Sequence, residues 1–160
     1  MGSLAAEIGA FLKAEKATLA VAESCTGGLI AKNITDIAGS SDWFERGLVT
    51  YSNRAKQDLL GVSPDLLAQF GAVSRECCEA MARGLMVMTP ADWGVAVTGI
   101  AGPGGGSPEK PVGLVWVGWV RRHGAVDCEV LQLDGTREQI RAASAQAALA
   151  GLIERLRGGK

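Results

Sequence analysis

The chain has 160 residues, 48% of them apolar and 21% charged, which is enough apolar material for one domain with its own core and too much for a disordered chain. Its 16 basic and 17 acidic side chains leave a formal net charge of −1, and with no basic block a nucleic-acid partner is not expected. No apolar run approaches the ~20 residues of a membrane span, and residues 1–16 lack the basic-then-apolar order of a signal peptide, so a cytoplasmic protein is expected.

Ser3 caps a first predicted helix in which Leu4, Ile8, Phe11 and Leu12 share a face. Thr18 to Ala22 reads as a short buried strand, followed at once by Glu23-Ser24-Cys25-Thr26-Gly27-Gly28. Ile30, Ile34 and Ile37 then keep helical spacing up to a stop at Gly39. Gly47 to Tyr51 gives a second strand. Ser52 or Asn53 caps the next helix, which holds Lys56, Leu59 and Leu60 and closes at Gly61. Ser63-Pro64 opens a short helix, and Ser74 caps a longer one through Met81, Leu85 and Met88, whose methionines read as core filler.

Trp93 to Thr98 is a third strand, running into the glycine-rich stretch Gly99–Gly106. Val112 to Val120 alternates within an almost wholly apolar run, as a strand buried on both faces does. Residues 121–124 form a predicted tight turn into a fifth strand, Ala125 to Leu133. Asp134-Gly135-Thr136 opens a final helix through Leu156, and residues 158–160 are expected to fray. Helix and strand alternate early and a hairpin comes late, which predicts a single three-layer α/β/α domain over residues 1–160, built on a mixed, mostly parallel sheet of about five strands.

The four cysteines, Cys25, Cys77, Cys78 and Cys128, form no C-x-x-C pair, and His123 is the only histidine. A metal or other cofactor is therefore not expected, and Cys77 and Cys78 read as small core residues of a helix. Glycine is the outlier, at 22 of 160 residues, about twice its usual share. The glycines cluster in loops without a G-X-Y period, which suggests backbone approaching a ligand closely.

Two loops can carry chemistry. The strand–ESCTGG–helix junction presents the hydroxyls of Ser24 and Thr26 at a helix N-terminus, with Gly27 and Gly28 opening the approach. It is neither a Walker loop nor G-x-S-x-G, and pattern alone leaves a plain helix cap and a ligand loop equally open. The second is Thr98 with Gly99–Gly106, which is either a mobile connection or a phosphate cradle, although no G-x-G-x-x-G follows a strand cleanly.

A serine nucleophile needs a base. His123 sits in a predicted solvated turn beside two arginines, so a Ser–His–Asp triad is not expected and lysine is the available base. A lysine serves only where desolvation or a nearby cation lowers its pKa. Lys56, one turn into the helix that follows Tyr51, can point back over the sheet edge. Taken singly, Lys56 also reads as a solvated helix lysine and Tyr51 as a half-buried sheet residue.

Taken together these pieces resemble a known family. Residues 22–28 (AESCTGG), 50–53 (TYSN) with Lys56, 71–74 (GAVS), 98–103 (TGIAGP) and 109–113 (EKPVG) are similar, in order, to the CinA C-terminal domain family over residues 1 to about 157. The single-domain chain resembles most its stand-alone nicotinamide-nucleotide amidase (PncC-like) branch. The resemblance implies hydrolysis of the carboxamide of nicotinamide mononucleotide (NMN) to nicotinic acid mononucleotide and ammonia, in pyridine-nucleotide recycling.

By the same resemblance Ser24 is the nucleophile, Lys56 its general base, and Tyr51 and Thr98 complete the polar network. Either Arg137 or Arg141, at the start of the last helix, belongs to the set; the pattern does not separate them. Thr26, Gly27, Gly28, Gly99 and Gly102 are the expected substrate-binding positions beside the two arginines. Backbone N–H groups of residues 26–28 are expected to face the oxyanion. A homodimer is expected. The competing reading is a catalytically inactive nucleotide-binding or regulatory module linked to competence or the DNA-damage response, which has no need of a lysine base beside a hydroxyl.

Overall fold

The computed structural model describes residues 3–158, in which five strands form one sheet: β1 (Leu19–Glu23), β2 (Phe44–Val49), β3 (Trp93–Gly99), β4 (Leu114–Arg121) and β5 (Asp127–Gln132). The strand order is β2-β1-β3-β4-β5. β1 pairs in parallel with β2 and β3, while β4 is antiparallel to both β3 and β5. The pairings therefore divide evenly, and β4 alone runs against the other four strands.

Six helices cover the sheet: α1 (Leu4–Glu15), α2 (Leu29–Thr35), α3 (Asn53–Leu60), α4 (Pro64–Phe70), α5 (Arg75–Met88) and α6 (Arg137–Arg157). The pleat sorts the core into two halves. Leu19 and Val21 of β1 and Val95 and Val97 of β3 face α1, α2 and α6, where Ile8, Ile34 and Leu149 meet them. Ala20, Ala22 and Ala96 face the other way, and their small side chains let α5 seat Cys77, Met81 and Leu85 against the sheet. The helices lie on both faces, as the periodicities predict. Among the described residues no helix is long and apolar enough to cross a membrane.

Element boundaries move where tertiary packing intervenes. α2 stops at Thr35 rather than Ile37, and Gly39, at φ 83°, leads into a 3-10 turn over Ser40–Asp42. That turn drives Trp43 into the core against α1. Gly9 leaves room for its ring there, since a Cβ on Gly9 would lie 2.7 Å from the indole nitrogen. β2 consequently begins at Phe44, three residues before the expected Gly47. The charged pair Glu45 and Arg46 is tolerated within it because β2 is an edge strand with side chains open to water. The expected turn at 121–124 is present, with Gly124 N–H donating to the Arg121 carbonyl at 2.8 Å, and His123 occupies its left-handed corner at φ 70°. Of the residues 158–160 expected to fray, residues 159–160 lie outside the described residues.

The connections place the site. From β1 the chain passes through α2 to β2 on one side; it then returns through α3, α4 and α5 to β3 on the other side. β1 is therefore the topological switch point, and the crevice beyond the carboxyl ends of β1 and β3 is where such sheets bind ligands.

Candidate active site

Ser24 is the first residue beyond β1, fixed by its own N–H to the Val97 carbonyl of β3 at 3.1 Å. Thr50 follows β2, and its N–H donates to the Glu23 carbonyl at 2.8 Å, which brings the end of β2 beside the serine. The chain then turns into α3, whose cap is Ser52: its hydroxyl accepts from Ala55 N–H at 2.9 Å. Lys56 lies in the first turn of this helix and reaches back across the strand ends.

The Lys56 ammonium donates to Ser24 Oγ at 3.0 Å, to the Thr50 carbonyl at 2.8 Å and to the Tyr51 carbonyl at 3.1 Å. The lysine is 1% exposed, so it is not the solvated helix residue that its sequence position also allows. Among the described residues no carboxylate is among its hydrogen-bond partners, and burial depresses its pKa from the ordinary lysine value. Desolvation is one of the two ways to turn a lysine into a base near neutral pH.

Ser24, Lys56, Tyr51, Thr98, Gly99 and Arg137 line one open cavity of about 230 Å³ at the switch point, with Cys25, Ala72 and Ala101 in its wall. Thr98, next to last in β3, donates its hydroxyl to the Ala72 carbonyl at 2.8 Å. Tyr51 is 60% exposed, not half-buried in the sheet. Its phenol oxygen accepts from the Arg137 guanidinium at 3.1 Å while its carbonyl takes Lys56. A larger hollow of about 540 Å³ at the opposite end of the sheet is lined by Trp93, Arg121 and Arg122 among others and brings no nucleophile to a base.

The two arginines separate. Arg137 donates to the Gly102 carbonyl at 2.7 Å and faces the cavity. Arg141, one helical turn on, donates instead to the carbonyls of Cys25 and Thr26 at 3.1 and 3.2 Å, and with Arg137, Leu29 and Glu138 it lines a second open cavity of about 480 Å³. The remaining predicted positions lie around the cavity rather than in its wall. The Thr26 side chain is fully buried with no hydrogen-bond partner among the described residues. Gly27 and Gly28 take left-handed φ values of 60° and 104°, which glycine adopts without strain. The Gly27 N–H is already donated to the Ser24 carbonyl at 3.0 Å, so of the three amides expected to face an oxyanion, those of Thr26 and Gly28 have no backbone acceptor among the described residues.

The glycine-rich stretch is an anchored loop, not a slack connection. Its neck is closed by Ile100 N–H to the Leu114 carbonyl and Gly113 N–H to the Ile100 carbonyl, at 2.9 and 2.8 Å. Lys110 reaches out to the Phe70 carbonyl at the end of α4, at 2.6 Å. Sequence reasoning missed Glu23, taken there as a charge bounding the strand. It is buried, and its carboxylate accepts from the Ile30 and Ala31 N–H groups, both at 2.9 Å. The available signal is that the N-cap of α2 is Gly28, which has no side chain to cap with.

Comparison with known proteins shows the family of the chain. The family profile of the CinA C-terminal domain matches residues 1–156. The nicotinamide-nucleotide amidohydrolase PncC of Enterobacter agglomerans is 55% identical over 154 residues, covering 96% of this chain and 92% of that protein. The protein of the same name from Escherichia coli K12 is 51% identical over 138 residues, 86% and 84% of the two chains. The crystal structure of the competence/damage inducible protein CihA from Agrobacterium tumefaciens superposes with a TM-score of 0.93 at 48% identity, over 96% of this chain and 93% of that one. The chain belongs to the CinA C-terminal domain family.

Proposed function

We propose that this chain is a nicotinamide-nucleotide amidohydrolase that uses Ser24 as nucleophile and Lys56 as general base. The observation that carries the mechanism is the 3.0 Å contact between a buried lysine amine and a serine hydroxyl in the wall of an open cavity; the names of full-length relatives supply the substrate class. A regulatory module that only binds a nucleotide has no use for a buried lysine directed at a hydroxyl.

The chemistry follows from the geometry. Neutral Lys56 accepts the Ser24 proton as Oγ bonds to the carboxamide carbon of NMN, and the negative charge moves to the carbonyl oxygen. The C–N bond then breaks, with the Lys56 ammonium returning its proton to the departing ammonia. Lys56 next deprotonates a water, which adds to the acyl-serine. Collapse of that adduct breaks the C–Oγ bond, the Lys56 ammonium returns its proton to Ser24 Oγ, and nicotinic acid mononucleotide leaves. The Thr50 and Tyr51 carbonyls stabilise the transient ammonium, so that each proton transfer is made to a base held in place. Arg137, open to the cavity and bonded to the Tyr51 phenol, is the cation that meets the phosphate.

The same reading has the enzyme in the cytoplasm as a homodimer. Four free, buried thiols support the first part, and Val49 and Tyr51, exposed at the end of the β2 edge, support the second. The deciding experiment is ammonia release from NMN by the chelator-treated protein beside Ser24→Ala and Lys56→Ala. Release that survives chelation and is lost in both variants upholds the reading. No release by the unaltered chain sinks it, and release undiminished by Ser24→Ala discards the mechanism.

A further inference from the structure

The serine loop is held by two charged side chains that do not line the cavity. Beyond the Ser24 N–H bond to Val97 O, the backbone of residues 24–29 is held among the described residues by short-range bonds, among them Gly27 N–H to Ser24 O and Leu29 N–H to Thr26 O, both 3.0 Å. Glu23 grips one end. Its carbonyl takes the Thr50 N–H, while its two carboxylate oxygens each take one amide of the first turn of α2, at Ile30 and Ala31. This is the work an N-cap side chain ordinarily does, performed from the preceding strand because Gly28 has none.

Arg141 grips the middle. Its Nε and a terminal nitrogen take the carbonyls of Cys25 and Thr26, and the latter nitrogen lies 2.8 Å from where a Cβ on Gly27 would be. A peptide is planar and trans, so turning the Cys25 carbonyl toward Arg141 turns the Thr26 N–H to the opposite side. The guanidinium thereby fixes the orientation of an amide that has no backbone acceptor of its own among the described residues.

We infer that Glu23 and Arg141 are positioning residues that set the Ser24 loop through its backbone, and that Arg141, whose donors are taken by two loop carbonyls and which does not line the Ser24 cavity, is not a substrate ligand. The inference rests on Ser24 being the nucleophile. A carboxylate offers two acceptors to the Ile30 and Ala31 amides, whereas a carboxamide offers one acceptor and one donor. Glu23→Gln therefore leaves an amide facing an N–H₂ group. Arg141→Lys keeps the charge but loses the fork that serves two carbonyls at once. Displacement of a reacting atom by about 1 Å costs about 100-fold in rate.

The test uses the full chain and two reactions of Ser24. The first is phosphonylation by a fluorophosphonate, in which Oγ bonds to phosphorus, fluoride leaves and Lys56 takes the proton; it needs no nucleotide. The second is NMN hydrolysis, with NMN binding measured by calorimetry in a Ser24→Ala background. Glu23→Gln and Arg141→Lys should each lower kcat and the phosphonylation rate constant by about 10- to 100-fold, with KM and Kd within about twofold of the parent. A merely structural cap would move the melting temperature but not this split.

Arg141→Lys that raises KM and Kd about tenfold or more with phosphonylation unchanged makes Arg141 a substrate ligand and overturns the inference. Unchanged rates in both variants overturn it equally. Should Glu23→Gln unfold below the assay temperature, Arg141→Lys carries the same expectation alone. A parent chain inert to the fluorophosphonate removes the nucleophile and the inference together. A parent that reacts with it but not with NMN overturns only the substrate reading, and the phosphonylation rates still decide the positioning roles.

Discussion

Lys56 Nζ lies 3.0 Å from Ser24 Oγ although 32 positions of chain separate them. The contact exists because β1 and β2 pair in parallel and end together, so that the residue after one strand and the first turn of the helix after the other share a corner of the sheet. The lysine sits there 1% exposed and without a carboxylate partner among the described residues, and burial lowers its pKa.

The pH dependence of the reaction follows from that shift. As the proposed base, Lys56 would act only when neutral, so kcat/KM should rise about tenfold per pH unit on the acid side and level off above the depressed lysine pKa, below the usual ~10.5. Stability has the same sign: the unfolded lysine holds its proton more tightly, so the native state gains stability as pH rises between the depressed value and about 10.5. Lys56→Arg places a group that stays protonated at the same point and should lose about 10²- to 10⁴-fold in kcat, as should Lys56→Ala. A pH–rate profile checks the first statement; an active Lys56→Arg enzyme would disprove the base assignment.

Cys25 stands next to Ser24 in the cavity wall and is the rival nucleophile. Burial pushes its thiol up to about 11, which at pH 7.5 leaves roughly one thiolate in three thousand. Iodoacetamide at pH 7.5 should therefore inactivate the enzyme no faster than it alkylates a buried thiol in a folded protein. Cys25→Ala should keep kcat within about fivefold, at a stability cost of about 1–2 kcal/mol for the lost sulfur contacts. Peptide mapping after alkylation is the check. Rapid stoichiometric labelling of Cys25 with loss of activity would shift the chemistry from serine to cysteine.

The site was partly readable before any coordinates, for identifiable reasons. β1 could be found because a short apolar run ended at a charge, and the hydroxyl-bearing turn that follows it is local in sequence. The role of that charge was hidden: a glutamate at a strand end looks the same whether it points to water or, like Glu23, into the N-terminus of the next helix. Arg137 and Arg141 are one helical turn apart on one face, so periodicity could only group them; the β3–β4 loop and the serine loop, which are far apart in sequence, tell them apart. β2 starts three residues ahead of the expected Gly47, and only the edge position of the strand makes Glu45 and Arg46 acceptable within it.

Arg137 makes the next prediction. It joins the Gly102 carbonyl, the Tyr51 phenol and the cavity, and its hydrogen bonds go to neither Ser24 nor Lys56. Removing it should weaken binding of the anionic substrate and leave proton transfer alone. Arg137→Ala should raise KM for NMN about tenfold or more with kcat within about threefold, and Tyr51→Phe, which loses only the phenol contact, should raise KM by less. Nicotinamide riboside, which lacks the phosphate, should be indifferent to Arg137→Ala when tested as a substrate. A fall in kcat at constant KM would instead make Arg137 part of the chemistry.

The last prediction concerns how α3 is held, because Lys56 is only as well placed as its helix. Gly84, in the middle of α5, packs directly on the Leu60 carbonyl at the end of α3, and a methyl group there would overlap that oxygen. Helix propensity alone says that Gly84→Ala should stabilise α5 by about 1 kcal/mol. The overlap is with backbone that cannot rotate aside, so the contact should win, and the variant should lose about 2–3 kcal/mol in urea unfolding. Since Leu60 is one turn beyond Lys56, pushing α3 outward also lengthens the Lys56–Ser24 contact, and kcat should fall in whatever fraction stays folded. Gly104→Ala is the control: its added Cβ meets nothing within 4 Å and should change stability by no more than about 0.5 kcal/mol. A Gly84→Ala protein as stable and as active as its parent would mean that α3 and α5 do not approach as closely as the structure has them.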